Sequence, residues 1–529
     1  MQRRLFIEQT SWLSTGALII GSAYKPKSDQ ELKTSYSDLI EISIENLQDE
    51  IVNHNRSIID ITKWYLDRIE SIDRSGPTIN SVIYLNPKAL EDASQLESEL
   101  RNKGPRGPLH GIPVLLKDNI DTSDMPTTAG SRAMEGSIPP LDSHVVKLLR
   151  ESGAVILGKA NLSEWANFRG EDSSSGWSGL GGLTKNPYVL DRNTCGSSAG
   201  SGAAVSANLC MLAIGTETNG SIVCPASTNG IVGIKPTVGL VSRAGIIPIS
   251  STQDTAGPMA RSVSDAVHCL NILKGIDPRD SATKLIPNSL PIDYTSYLKK
   301  DGLNGKRIAH FTSSKGKLES VDTLMAQAIS VMEAQGATII EIDKISEDEV
   351  GENSFTVMLY EYKKGLNDYF ASLGPKAPIK SLEELIEWNK KDSLELKHFG
   401  QEYLEMAQSK DNLESVNYKK HLASLRKLSR KEGLDRIMNE HQLDAVIAPT
   451  NSPAWKTDLK NGDTFVLGSS SPAARSGYPN ITVPMGMIDR LPVGISIFGR
   501  GWSEAILIEI AYAYEQASLH RRSPKFYVT

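Results

Sequence analysis

A chain of 529 residues with 39% hydrophobic content is long enough to bury a large core, and by length alone could form two or more domains. Its formal net charge of −6 offers no basic stripe to neutralise phosphates, so no nucleic-acid partner is expected. Four cysteines without C-x-x-C spacing and nine scattered histidines argue against a zinc site, and neither metal nor cofactor is expected.

The chain opens with Gln2-Arg-Arg-Leu-Phe-Ile, followed by the apolar stretch Thr10 to Ala23. A basic start, a short apolar core and a small-residue end read as an export signal over residues 1–23, and the paired arginines resemble a twin-arginine signal. The run is too short to span a bilayer stably, so an exported periplasmic or extracellular protein without stable membrane insertion is expected. A buried N-terminal helix is the alternative. Apolar residues at helical spacing then follow a Ser57/Asp60 start signal. Pro77 to Tyr84 is strand-like, and Ile112 to Leu116 reads as a short buried strand. Val145 to Arg150 reads as a helix leading into the strand Ala154 to Gly158. Ala199 to Asn208 reads as a small-residue helix and Leu209 to Ile214 as a buried strand. Such alternation predicts an α/β protein with a mixed sheet sandwiched by helices. From about residue 280 to 440 the chain turns charged and helical, and Tyr360, Tyr362 and Tyr369 stand at helical spacing, as core residues or as the lining of a groove.

The chemistry concentrates in Cys195-Gly-Ser-Ser-Ala-Gly-Ser-Gly-Ala-Ala and Gly215-Thr-Glu-Thr-Asn-Gly-Ser. Ser197, Ser198 and Ser221 stand among glycines that let backbone N–H groups approach a ligand closely, with no histidine nearby. A serine hydroxyl needs a neighbour to take its proton, and Lys117, at the end of an apolar strand, is the candidate base. Desolvation disfavours a charged amine, so such a lysine sits neutral near pH 7. The alternative is a surface lysine at a strand end. Gly196-Ser-Ser-Ala-Gly also fits the nucleophile elbow of α/β-hydrolases, but the residues ahead of it, Leu190 to Cys195, are too polar for the required core strand. Cys195 and Cys224 read as small apolar fillers, and no disulfide framework is expected.

These segments, with Gly107-Pro-Leu-His-Gly-Ile-Pro-Val-Leu-Leu-Lys-Asp, Gly233-Ile-Lys-Pro-Thr-Val-Gly-Leu, Asn161-Leu-Ser-Glu-Trp-Ala-Asn-Phe-Arg-Gly, Gln253-Asp-Thr-Ala-Gly-Pro-Met-Ala-Arg and Tyr478-Pro-Asn-Ile-Thr-Val-Pro-Met-Gly, resemble the amidase signature family. Within it the likeness is greatest to bacterial peptide amidases, which remove the amide group from C-terminally amidated peptides. The resemblance implies one large domain over residues 24–529, a central mixed β-sheet covered by helices on both faces, with a variable helical insertion at about 280–440 that shapes the substrate cavity. It implies Ser221 as the nucleophile, Ser197, behind a cis peptide bond, as the proton relay, and Lys117 as the base. Thr218, Asn219 and Gly220 would supply oxyanion donors, and Ser198 and Arg169 are candidate substrate-binding residues. A structural ion pair of Arg169 with Glu164 or Glu171 is equally compatible with the sequence, and Asp254 reads as a loop brace. Many family members carry Gly-Gly before the nucleophile; here Asn219 replaces the first glycine, and its side chain is expected to cap the turn locally, the alternative being that it reaches substrate. The function implied is a monomeric amidase acting on peptide or small-molecule amides. A glutamine-hydrolysing subunit of a transfer-RNA amidotransferase and a non-catalytic amide-binding protein are the alternatives.

Overall fold

The computed structural model describes residues 37–529, so the expected export signal over residues 1–23 lies outside the described residues. In chain order the strands are β1 (Val82–Leu85), β2 (Pro113–Lys117), β3 (Val155–Ala160), β4 (Trp177–Ser178), β5 (Gly182–Leu183), β6 (Leu212–Glu217), β7 (Val232–Lys235), β8 (Thr255–Ala260), β9 (Arg307–Phe311), β10 (Thr338–Ile342), β11 (Ala445–Pro449), β12 (Asn480–Ile488) and β13 (Leu491–Phe498). All but the β4–β5 ribbon join one eleven-stranded sheet in the order β1-β3-β2-β6-β8-β7-β12-β13-β11-β9-β10. The sheet is mixed: β3-β2-β6 and β11-β9-β10 run parallel, and antiparallel pairs connect them. Every residue of β2, β3, β6 and β8 is buried, and since successive side chains of a strand point to opposite faces, both faces of the sheet centre are covered. The result is a single large α/β domain.

Local signals start the helices where the sequence places them. Helix α1 (Ile58–Arg68) begins where the Ser57 hydroxyl accepts the Asp60 N–H, and α2 (His144–Glu151) where the Ser143 hydroxyl accepts the Val146 N–H. Two short helices rest on the middle of the sheet: α3 (Ala199–Ser206) against β2, β3, β6 and β8, and α4 (Val223–Thr228) against β7, β12 and β13. The small residues of α3 are required by this close approach, since a Cβ at Gly200 would fall 2.4 Å from the carbonyl oxygens of both Asn161 and Ser81.

The stretch expected as a helical insertion is only partly that. It does carry α5 (Val350–Ser372), α6 (Leu382–Asn389), α7 (Glu402–Gln408) and α8 (Val416–Arg426), but it also contributes β9 and β10 to the edge of the main sheet. Neither strand alternates in burial: β9 buries its middle behind an exposed Arg307, and the edge strand β10 exposes Thr338 and Glu341. Tyr362 and Tyr369 pack in a second core with Trp165, Leu366, Phe370 and Leu404, and Tyr360 packs against Tyr418 of α8, so all three are core residues. Among the described residues no helix is long and apolar enough to cross a membrane.

Candidate active site

Lys117 ends β2 with its side chain fully buried. Its Nζ lies 2.7 Å from Ser197 Oγ, 2.8 Å from Thr216 Oγ1 and 3.2 Å from the Thr216 carbonyl oxygen. Burial pushes the amine down to about 7, against the upward pull of Asp254 and Glu217. A neutral amine has two N–H groups and one lone pair: with Thr216 accepting both N–H groups, the lone pair faces the Ser197 hydroxyl. Thr216 is itself held by Asn119, whose Nδ2 donates to Oγ1 at 3.0 Å.

Ser197 follows a cis peptide bond with Gly196, and its carbonyl accepts the Ser163 N–H at 3.0 Å. Gly196 lies against the same serine, where a Cβ would come within 2.1 Å of Ser163 Oγ. Ser221 precedes α4 and is 9% exposed, and its carbonyl accepts the Ser198 N–H at 3.1 Å, tying the two serine loops together.

Glu217 organises the Ser221 loop, a role that the reading of the sequence missed. One carboxylate oxygen accepts the Gly220 N–H at 2.8 Å; the other accepts those of Ile222 and Val223 at 2.9 and 3.1 Å, where α4 begins. The available signal was a carboxylate a few residues before a helix start. Gly220, at φ +86°, supplies the left-handed turn.

Several expectations are corrected. The Gly220 N–H is directed at Glu217, which removes it from the proposed oxyanion donors. Ser198 is fully buried, donates to the Thr216 carbonyl at 3.1 Å and accepts the Thr216 N–H at 3.2 Å, so it braces the lysine's partner instead of meeting substrate. Arg169 is also fully buried; it pairs with Glu164 at 2.5 Å and donates to the carbonyls of Glu395, Phe399 and Gly400, leaving its guanidinium no face for a ligand. Asn219 does not cap its own turn: it accepts from Ser470 Oγ at 2.8 Å and donates to Ser471 Oγ at 3.2 Å, across more than 250 residues of sequence. Cys195 and Cys224 form a disulfide, their Cα atoms 5.9 Å apart. Their 29-residue separation hid the pairing, which arises because the two serine loops are packed together. Asp254 is a brace as expected, accepting from Thr218 Oγ1 and the N–H groups of Ile249 and Ser250, while burial raises its carboxyl to about 6.

A cavity of ≈ 300 Å³ reaches Asn119, Thr216 and Thr218 between apolar walls that include Ile247 and Ile249. Fold and site together define a class: a single-domain α/β enzyme equipped to attack a carbonyl and hydrolyse an amide.

The family model described as Amidase matches residues 60–508. A probable amidase of Arabidopsis thaliana is 43% identical over 472 residues, covering 87% of each chain. A glutamyl-tRNA(Gln) amidotransferase subunit of Microcystis aeruginosa is 34% identical over 500 residues, covering 92% of this chain and 99% of its own. The solved native peptide amidase from Stenotrophomonas maltophilia superposes with a TM-score of 0.89 at 48% identity, over 92% of this chain and 99% of its own. The chain belongs to the amidase signature family and is a serine amidohydrolase.

Proposed function

We propose that this enzyme hydrolyses the C-terminal carboxamide of peptides, and small carboxamides of similar shape, releasing ammonia through a Ser221-Ser197-Lys117 relay and an acyl-enzyme. The observation that carries the proposal is the buried Lys117 Nζ, 2.7 Å from Ser197 Oγ. Neutral Lys117 takes the Ser197 proton as Ser197 takes that of Ser221, and Ser221 Oγ bonds to the amide carbon. The N–H groups of Thr218, Asn219 and Ser221 are the donors this reading assigns to the resulting oxyanion. Return of the proton through Ser197 to the amide nitrogen breaks the C–N bond and releases ammonia, leaving an ester on Ser221. Water, deprotonated by the same route, then breaks the ester and releases the carboxylate.

The 48% identity to a peptide amidase, against 34% to an amidotransferase component, favours a free-standing enzyme over a glutamine-hydrolysing subunit. Ammonia release by the purified protein from an amidated dipeptide, the free dipeptide and glutamine, alongside Ser221→Ala, tests it. Rapid release from the amidated dipeptide alone, lost in the variant, is expected. Release from glutamine only, or only with added partner subunits, would overturn the substrate assignment. The proposal includes a monomer acting after export; the Cys195–Cys224 disulfide supports an oxidising compartment, and fractionation of cells together with light scattering tests both parts.

A further inference from the structure

We infer that the Cys195–Cys224 disulfide is a positioning device for the catalytic serines, so that turnover depends on its oxidation state; this rests on the assignment of Ser197 and Ser221 above. Cys195 stands two residues before Ser197, and Cys224 stands three residues after Ser221, in the first turn of α4. The bond therefore joins the relay loop to the nucleophile loop on the side of Ser221 that leads into α4. Other ties between these loops are hydrogen bonds: Ser198 N–H to the Ser221 carbonyl at 3.1 Å, Thr228 Oγ1 to the Thr194 carbonyl at 2.6 Å, and Asn229 Nδ2 to the same carbonyl at 3.1 Å.

The surroundings hold both ends of the bond: the Cys224 N–H donates to the Gly220 carbonyl at 2.8 Å. Asn193 Oδ1 accepts the Cys195 N–H at 2.7 Å, and Asn193 Nδ2 donates to the Ser175 carbonyl at 3.0 Å. Trp455 packs on both sulfur-bearing residues and donates to Asp463, which also accepts the Ser175 N–H and hydroxyl. Reduction removes the covalent tie and leaves Ser197 and Ser221 positioned relative to each other by the hydrogen bonds between the two loops alone. A misplacement of about 1 Å costs on the order of 100-fold in rate. The remaining cysteines, Cys210 and Cys269, are free and buried, and burial pushes the Cys210 thiol up to about 12, which leaves this pair as the accessible redox couple among the described residues. Each of its members is 6% exposed.

The chemistry balances as thiol–disulfide exchange. A small dithiol attacks one sulfur, the S–S bond breaks, and the dithiol leaves as a cyclic disulfide, having given two electrons and two protons to Cys195 and Cys224. Re-formation needs a disulfide oxidant, which takes up the same two electrons and two protons.

The test treats the full-length protein with dithiothreitol and then re-oxidises it with oxidised glutathione. Accessible thiols, far-UV circular dichroism, kcat and KM on an amidated dipeptide, and the rate at which a fluorophosphonate labels Ser221 are followed. The expected result is two new thiols, a kcat and a labelling rate about 10- to 100-fold lower, KM within about threefold, an unchanged spectrum and recovery on re-oxidation. Cys195→Ala/Cys224→Ala should be slow and indifferent to dithiol, and Cys269→Ala should stay sensitive; if the double variant does not fold, reversibility in the unmodified protein decides. Two new thiols with kcat and labelling unchanged would overturn the inference, as would a loss that merely tracks unfolding. An inactive Ser221→Ala together with indifference to reduction removes this inference alone, whereas an active Ser221→Ala removes the serine assignment itself.

Discussion

Residues 195–224 and helix α5 bear on one site by opposite means. The first stretch brings its hydroxyls into place through local backbone geometry: a cis bond, a left-handed glycine and a carboxylate over a helix start. The second contributes no residue to the proposed relay, yet it lines the cavity with Glu361, Lys364 and Asp368 and buttresses the surrounding loops. Ser354 Oγ donates to Gln253, whose Nε2 donates to the Thr218 carbonyl; Glu361 accepts from Ser250, Thr252 and Tyr418; Tyr369 donates to Asp121. The two serines are near neighbours in sequence, whereas Lys117 and the supporting contacts come from distant segments. Substitution of the Ser221 hydroxyl should therefore move kcat with little change in stability, and substitutions of the buttressing residues of α5 should do the reverse.

The largest effect belongs to Ser221→Ala. Steady-state kinetics should show a loss of at least ~1000-fold in kcat, since nothing else in the relay can form the acyl-enzyme. Thermal melting should stay within a degree or two, because Ser221 Oγ does not appear in the hydrogen bonds that hold the loop. A variant that lost both activity and stability would collapse the distinction between the two regions.

Next comes pH. The proposed relay needs Lys117 neutral, and its amine is lowered to about 7, so kcat/KM should rise with pH through about 7 and level off above. Below that point each unit costs close to tenfold. Asp254, raised to about 6, loses its charge in the same interval and with it part of the pull that keeps Lys117 protonated, so the slope should flatten toward pH 5. A profile flat from pH 5 to 9 would remove lysine as the base.

From α5, Glu361→Ala should cost about 2 kcal/mol of stability in urea titrations, because buried donors on Ser250, Thr252 and Tyr418 lose their acceptor together. Its effect on kcat should be less than tenfold. An effect on kcat alone would show that α5 acts on the chemistry and not on the scaffold.

What was legible in the sequence follows the same division. Lys117 could be placed because a run of apolar residues ending in lysine fixes both a buried strand and a desolvated amine. The glycines marked the two loops that the fold packs together, but they did not distinguish Ser197 and Ser221 from the buried brace Ser198. Arg169 could not be placed: a buried guanidinium is recognised by its acceptors, three of which are carbonyls from residues 395–400, more than 220 positions away. The disulfide and the Asn219–Ser470 contact failed for the same reason, since each pairs residues that only the finished fold brings together. Strands β9 and β10 were hidden differently: neither alternates in burial, and β10, at the edge of the sheet, carries an exposed Glu341.

The smallest effect sharpens the comparison most. Tyr369 on α5 donates to Asp121 Oδ1 at 2.9 Å, and Asp121, four residues beyond Lys117, is raised by burial to about 7 despite that bond. Tyr369→Phe removes a contact that favours the charged carboxylate, so the carboxyl should move above 7. Because the lost bond favoured the ionised form, the loss of stability should be greatest above pH 7, about 1 kcal/mol at pH 8, and should shrink as pH falls and Asp121 takes up its proton in both proteins. Urea titrations at pH 6 and 8 measure the difference directly. The kcat/KM profile should keep its inflection, since Asp121 does not touch the Lys117 amine. A shifted inflection would mean that α5 tunes the base, and the two regions would then be one electrostatic unit.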